Sequence, residues 1–111
     1  LLGVVPPTDS KGCLQDVHWT RPGFGYFPTY ALGNLYGAQF FETAVAQSPA
    51  ILDELNQGQT TSLLAWLREN IHQHGRKFTP GELVERVTGQ PLSHAAFMRY
   101  AKTKFTELYN L

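Results

Sequence analysis

Residues 28–47 decide the fold of this chain, and they read P-T-Y-A-L-G-N-L-Y-G-A-Q-F-F-E-T-A-V-A-Q. Proline is favoured in the first turn of a helix, where its missing N–H costs no hydrogen bond. The apolar side chains are spread around the helix, so we expect contacts on more than one side. The pattern predicts a long helix from Pro28 to about Gln47, ending before Ser48-Pro49.

The segments on the C-terminal side also have helical patterns. A short helix is expected from Ala50 to Asn56, and residues 63–71 carry an apolar stripe at helical spacing. Residues 79–82 read T-P-G-E, a capping box with proline at the first helical position. Gly89 is expected to end that helix, and Ser93 to cap a last one.

No stretch shows the sustained alternation of apolar and polar residues that a half-buried strand requires. The sequence therefore predicts an all-α fold, a helical array of about five to six helices. We expect residues 1–111 to form a single helical domain with no internal boundary.

Composition excludes some classes of protein. Nine basic and nine acidic residues cancel, so net charge points to neither nucleic acid nor an anionic membrane. No apolar run approaches the length that spans a bilayer. The only cysteine, Cys13, cannot form an internal disulfide, which fits a reducing compartment. The opening Leu1-Leu2-Gly3 has neither methionine nor capping signal, as expected for an element that begins earlier in a longer protein.

Residues 12–30 carry the richest chemistry, reading G-C-L-Q-D-V-H-W-T-R-P-G-F-G-Y-F-P-T-Y. Polar groups beside aromatic bulk, on a frame of glycine and proline, are typical of a ligand pocket wall. A short helix is expected over roughly residues 11–18. It would place Gln15 and His18 on one face, and Asp16 and Trp19 on another.

Two interpretations of Asp16 and His18 are open on the residues alone. In one, His18 is a core imidazole with its hydrogen bonds satisfied, and Asp16 accepts from a neighbouring helix end or loop. In the other, His18 donates a hydrogen bond to a ligand carbonyl or developing oxyanion, oriented by a carboxylate. Tyr26 and Tyr30 carry the same ambiguity, since a buried phenol often only finds a carbonyl.

Metal binding and nucleophilic catalysis within the chain are not expected. His72 and His74 are two apart on a helix and point roughly 200° away from each other, and there is no H-E-x-x-H motif. Cys13 is five residues from His18, an awkward angle on a helix. It is more typical of a small buried residue.

A non-catalytic role is the alternative function. Residues 79–88, a turn with Gly89, and the segment from Ser93 resemble a helix-turn-helix in outline. From Arg76 to Lys104, two acidic residues, Glu82 and Glu85, accompany six basic ones, namely Arg76, Lys77, Arg86, Arg99, Lys102 and Lys104. A solvated helix face explains this excess, but an interaction or nucleic-acid-binding module using the basic C-terminal helix is the competing hypothesis.

Residues 12–19 match G-x-x-Q-D-x-H-W, and with it the chain resembles the M32 family of metallocarboxypeptidases, of the thermostable carboxypeptidase 1 type. The resemblance continues in order through F-G-Y-F-P-T-Y (24–30), L-G-N-L-Y (32–36), L-R-E-N-I-H (67–72), G-R-K-F-T-P (75–80) and L-V (83–84). It covers essentially the whole chain.

The resemblance implies an all-helical, cytoplasmic, homodimeric peptidase several times longer than this chain. Such an enzyme releases single residues from peptide C-termini with a divalent metal, usually zinc. Its ligands are the two histidines of H-E-x-x-H and a later glutamate, and the motif glutamate acts as base. None of these is present here. The chain is therefore expected to be a C-terminal fragment that binds no metal itself and is inactive alone.

The resemblance also assigns roles to individual residues. His18 would be catalytic, hydrogen-bonding the substrate or the tetrahedral intermediate. The substrate-binding residues would be Gln15, Asp16, Trp19, Tyr26 and Tyr30. The implied partners are a peptide substrate in the parent enzyme and further copies in a homo-oligomer, with neither nucleic acid nor membrane.

Overall fold

Five α-helices make up most of the computed structural model, which describes residues 3–19, 21, 23 and 25–110. They are α1 (Pro28–Gln47), α2 (Ala50–Asn56), α3 (Thr61–Asn70), α4 (Pro80–Thr88) and α5 (Ala95–Tyr109). Short 3-10 turns lie at Asp9–Lys11, Cys13–Gln15, Val17–Trp19 and His72–His74. No strand occurs in these ranges, so the predicted all-α helical array is confirmed. None of the described helices combines the length and hydropathy that crossing a bilayer requires.

The chain divides into two compact units, residues 1–32 and residues 33–111. The boundary falls within α1. The organisation of residues 1–111 as a single domain stays a prediction.

The core of the second unit lies where α1, α2 and α3 meet. Ala44 and Ile51 are fully buried, and Trp66 is nearly so. The Trp66 indole N–H donates to Oε1 of Gln47 over 2.7 Å, which satisfies the polar atom of a ring that is otherwise packed in apolar surroundings. The partly buried side chains that pack against this core are Phe40, Val45, Leu55, Leu63, Leu67, Ile71 and Val87.

Gln39 joins α1 to the loop between α4 and α5. Its side chain is buried, and its amide N–H groups donate to Oγ1 of Thr88 over 3.0 Å and to the carbonyl of Pro91 over 3.1 Å. Its Oε1 accepts the backbone N–H of Ser93 over 2.9 Å. A buried amide with partners at both ends fixes the loop, because its hydrogen bonds hold the backbone of Pro91 and the half-buried Ser93 against α1.

The predicted capping box at the start of α4 is confirmed. The Glu82 carboxylate accepts the backbone N–H of Thr79 over 2.8 Å, and Oγ1 of Thr79 accepts the N–H of Glu82. Gly89 ends the helix at φ 74°, a left-handed conformation that favours glycine. Oγ of Ser93 accepts the N–H of Ala95 at the start of α5, although the residue directly before that helix is His94.

The predicted short helix over residues 11–18 is wrong. Three separate 3-10 turns replace it, because the backbone is not helical at Gly12 (φ −124°, ψ −119°) or at Asp16 (φ −100°, ψ 116°). A Cβ at Gly12 would lie only 3.0 Å from Cγ of Pro6, a close approach that favours glycine. Cys13 is exposed, which also corrects the expectation that it is buried.

Candidate functional site

The first unit brings His18 and Tyr30 together through two backbone turns. His18 lies in the 3-10 turn Val17–Trp19, and Tyr30 lies in the first turn of α1. Gly25 adopts φ 85°, where glycine is favoured, and the next residue, Tyr26, donates its N–H to the carbonyl of Gly23 over 2.9 Å. The N–H of Tyr30 then donates to the carbonyl of Phe27 as α1 begins.

Asp16 holds His18 by two hydrogen bonds to one carboxylate oxygen. Oδ1 of Asp16 accepts the backbone N–H of His18 over 3.0 Å and lies 2.6 Å from Nδ1 of the ring. These bonds, the backbone one foremost, lower the pKa of the Asp16 carboxyl below its ordinary value. The ionised carboxylate only accepts, so Nδ1 of His18 carries a proton.

The other ring nitrogen of His18 contacts Tyr30. Nε2 lies 3.0 Å from the Tyr30 hydroxyl oxygen. With Nδ1 protonated, Nε2 of the neutral ring accepts the hydroxyl proton of Tyr30. In the imidazolium form Nε2–H donates to the same oxygen, and the hydroxyl proton of Tyr30 becomes free to donate elsewhere. Asp16, His18 and Tyr30 thus form one hydrogen-bonded chain.

Two further aromatic rings pack around His18. The Phe27 ring centroid lies 4.9 Å from that of His18, and the Tyr26 ring stacks on the imidazole at 6.1 Å. Tyr26 and Tyr30 meet edge to face at 5.3 Å. The His18 side chain is 30% exposed, and Tyr30 is 52% exposed. The rings therefore orient the imidazole and leave the polar end of the cluster accessible.

The structure brings together four of the six residues predicted for the site, namely Asp16, His18, Tyr26 and Tyr30. Gln15 instead donates its side-chain amide to the carbonyl of Ser10, which ties the second 3-10 turn to the first. The side chain of Trp19 lies outside the described part of the structure. Phe27 was not predicted as a site residue, although its place between Tyr26 and Pro28 in an aromatic run was a usable signal.

A metal ion does not fit the side chains described here. Within residues 3–19, 21, 23 and 25–110, no three His, Cys, Asp or Glu side chains are grouped closely enough to hold one. The donors of the site are one carboxylate, one imidazole and phenols, and the imidazole already bonds on both nitrogens. The chemistry open to this cluster is hydrogen bonding and proton donation.

The chain is similar to known carboxypeptidases over almost its whole length. Thermostable carboxypeptidase 1 of Thermus thermophilus is 46% identical over 108 residues, which are 97% of this chain and 21% of that protein. Carboxypeptidase 1 of Bacillus subtilis is 38% identical over 110 residues, 99% of this chain and 22% of that protein. This chain therefore spans about a fifth of the length of these relatives.

The fold agrees with the sequence similarity. The crystal structure of an M32 carboxypeptidase from Deinococcus radiodurans R1 superimposes with a TM-score of 0.84 at 43% identity, over 99% of this chain and 22% of that one. A family model described as carboxypeptidase Taq (M32) metallopeptidase matches residues 1–105. Since sequence, fold and family model agree over nearly every residue, the chain belongs to the M32 family of metallopeptidases.

Proposed function

We propose that this chain is the C-terminal portion of a metal-dependent carboxypeptidase that releases single residues from peptide C-termini. In this proposal it supplies one wall of the substrate groove, and the rest of the parent chain supplies the metal ligands. Membership of a metallopeptidase family and the names of two relatives, both carboxypeptidases, support it. The parent acts on peptides and is a cytoplasmic homo-oligomer.

The observation that carries the proposal is the hydrogen-bonded chain Asp16–His18–Tyr30. Asp16 accepts the Nδ1 proton of His18 and Nε2 bonds the Tyr30 hydroxyl, so that hydroxyl is the polar group at the end of the chain that can meet a ligand. When His18 is protonated, Nε2–H donates to Tyr30, and the Tyr30 hydroxyl donates to the substrate carbonyl oxygen. A cation behind that hydroxyl strengthens the donated bond as negative charge develops on the oxygen.

The packing of the cluster supports a catalytic role more than a loose surface contact. Stabilisation of an oxyanion depends on donors that are already oriented before the reaction. Phe27 and Tyr26 pack against the imidazole, and Asp16 fixes both its backbone and its ring. The Tyr30 hydroxyl is therefore hydrogen-bonded to an imidazole that its neighbours hold in place. About half of the Tyr30 side chain is exposed and can meet an incoming peptide.

The proposal includes inactivity of the chain alone. The described residues offer no grouped donor set for a metal, and a metallopeptidase needs one. His18 and Tyr30 can bind and polarise a carbonyl, but hydrogen bonding alone supplies no nucleophile. We therefore expect peptide hydrolysis only from the parent protein.

The test is Tyr30→Phe in the parent protein, because it removes one hydroxyl and keeps the ring. Removing one oxyanion donor lowers kcat by roughly 100- to 1,000-fold, and KM should change little. Tyr109→Phe is the matched control, since Tyr109 is exposed near the end of α5. If Tyr30→Phe kept the wild-type kcat, the proposed catalytic role of the Tyr30 hydroxyl would be refuted. Release of C-terminal residues by this chain alone would contradict its inactivity.

The nucleic-acid-binding alternative gains no support from the arrangement of α5. Arg99 forms two hydrogen bonds with the Glu42 carboxylate, at 2.9 and 2.8 Å, so its charge is neutralised within the chain. That pairing weakens the basic face on which the alternative depends. It stays a prediction.

A further inference from the structure

A groove of about 920 Å³ lies between α1 and α5 in the second unit. Phe41 of α1 and Phe97 and Tyr100 of α5 give it an apolar lining. Phe41 is 39% exposed and Tyr100 is 54% exposed, although both rings would be more stable away from water. The groove is thus an apolar surface that the described part of this chain leaves uncovered.

Two glycines of α1, Gly33 and Gly37, line the same groove. They are one helical turn apart and so lie on one side of the helix. A Cβ at either position would have no atom within 4 Å outside its own helical turn, so no described contact requires glycine there. Glycine destabilises a helix interior relative to alanine. Because glycine has no side chain, Gly33 and Gly37 allow another helix to pack close to the backbone of α1.

Three of the four charged side chains in the groove lining have hydrogen-bond partners within the chain. Arg99 and Glu42 bond to each other, and Nζ of Lys104 donates to the Tyr100 hydroxyl over 3.1 Å. The fourth, Glu107, is exposed to water. An occupant therefore needs no charge of its own to match Arg99, Glu42 or Lys104. An apolar helix face fits the lining better than a charged peptide does.

The source of the occupant follows from the lengths of the relatives. The present chain superimposes on the carboxypeptidase from Deinococcus radiodurans with a TM-score of 0.84, but it covers only 22% of that longer chain. The buried apolar residues described here are few, namely Ala44, Ile51, Trp66, Val84 and Ala96. Most of the material that could cover the groove therefore belongs to the same polypeptide.

We propose that the groove between α1 and α5 seats a helix from the part of the parent chain that precedes this one, with its backbone packed against Gly33 and Gly37. This inference rests on the proposed origin of the chain as a C-terminal portion. It assigns the two glycines a role that no contact among the described residues gives them.

The first test compares glycine substitutions in two settings. In this chain, Gly33→Ala, Gly37→Ala and the control Gly81→Ala should each raise the thermal midpoint by roughly 2–6 °C, because alanine favours the helix. Gly81 lies in α4, outside the groove lining, and its Cβ would also be in open space. In the parent, Gly81→Ala should still raise the midpoint, whereas the other two should lower it by about 3 °C or more. A rise for all three in the parent would overturn the proposal.

The second test identifies the occupant directly and does not depend on the chain folding alone. The photoreactive residue p-benzoylphenylalanine replaces Tyr100 in the parent, with Glu85, an exposed position on α4, as the control site. After irradiation, peptide mapping should join position 100 to a segment preceding Leu1 of the same chain. Crosslinks between two chains, or none beyond the control, would overturn the proposal.

The two proposals fail in different ways. An active carboxypeptidase whose position 100 crosslinks to no preceding segment contradicts the groove assignment and leaves the proposed function intact. A parent that crosslinks as expected but releases no C-terminal residues contradicts the proposed function and leaves the groove assignment intact.

Discussion

Oδ1 of Asp16 accepts both the backbone N–H and the ring Nδ1–H of His18, over 3.0 and 2.6 Å. One carboxylate oxygen therefore fixes the position of the residue and the orientation of its ring. Because Nδ1 is the donor, Nε2 is directed to Tyr30, 3.0 Å away. The ring orientation is set within three residues of sequence and then reinforced by Phe27.

Asp16→Ala should release the imidazole of His18. Without the carboxylate, the preference for a proton on Nδ1 is lost, because the partner of one ring nitrogen selects the tautomer. Nitrogen-15 chemical shifts of the His18 ring in this chain should move from the Nδ1–H form towards the Nε2–H form. In the parent, kcat should fall about 10- to 100-fold, as for loss of a residue that orients a functional histidine. Asp9→Ala, in the first 3-10 turn, is the control, and an unchanged tautomer in Asp16→Ala would refute the assignment.

Stability should decline in acid because three carboxyls have lowered pKa values. Hydrogen bonds from His18 lower the pKa of Asp16, those from Ser62 lower that of Glu54, and those from Thr79 lower that of Glu82. Each group binds protons more weakly when folded, so its contribution is complete above its unfolded pKa and is lost as pH falls through the folded value. The thermal midpoint should be level near neutral pH and fall below about pH 4.5. Glu54→Gln should make that fall shallower, and an unaltered acid profile in this variant would count against the Ser62 contact.

Gln39→Leu should destabilise the second unit, although leucine and glutamine side chains are of similar size. The half-buried backbone N–H of Ser93 and the carbonyl of Pro91 would lose Gln39 as their partner, and a polar group shielded from water without a partner is costly. We expect a loss of about 1–2 kcal/mol in the free energy of unfolding, measured in urea. Gln57→Leu, at an exposed glutamine after α2, should change it by less than about 0.5 kcal/mol. Equal effects of the two variants would show that Gln39 does not fix the loop.

Thr79→Ala should lower the free energy of unfolding by about 1 kcal/mol through loss of the cap on α4. Thr79 and Glu82 bond reciprocally, so either single substitution breaks the whole motif. The double variant Thr79→Ala/Glu82→Ala should therefore cost less than the sum of the two single variants in urea unfolding. Additive effects would mean that the two residues act independently. Thr106→Ala, exposed in α5, is the control.

Helix ends were predictable because the signals that set them are local. Pro28 begins α1, the Thr79 capping box begins α4, and Gly89 ends it, as the sequence predicts. Each signal acts through hydrogen bonds or backbone angles within a few residues. The predicted helix over residues 11–18 failed because the backbone leaves helical angles at Gly12 and Asp16, and helix propensity alone does not reveal those breaks.

Four residues of the cluster around His18 were named from the sequence, but their arrangement was not, and Phe27 was missed. The motif over residues 12–19 pointed to Asp16 and His18, and the aromatic run pointed to Tyr26 and Tyr30. Both tyrosines were equal candidates in the sequence. In the structure Tyr30 forms the hydrogen bond to His18, whereas Tyr26 stacks on its ring.

The sequence by itself determined the all-α class, the bounds of α1, the cap of α4 and the family, because each depends on neighbouring residues or on the order of a motif. Tertiary structure decided which phenol meets His18, how Gln39 holds Ser93 across 54 residues, and that Gly33 and Gly37 lie in an open groove. These features join residues far apart in the chain. Their geometry follows from how helices and loops pack, which no local pattern encodes.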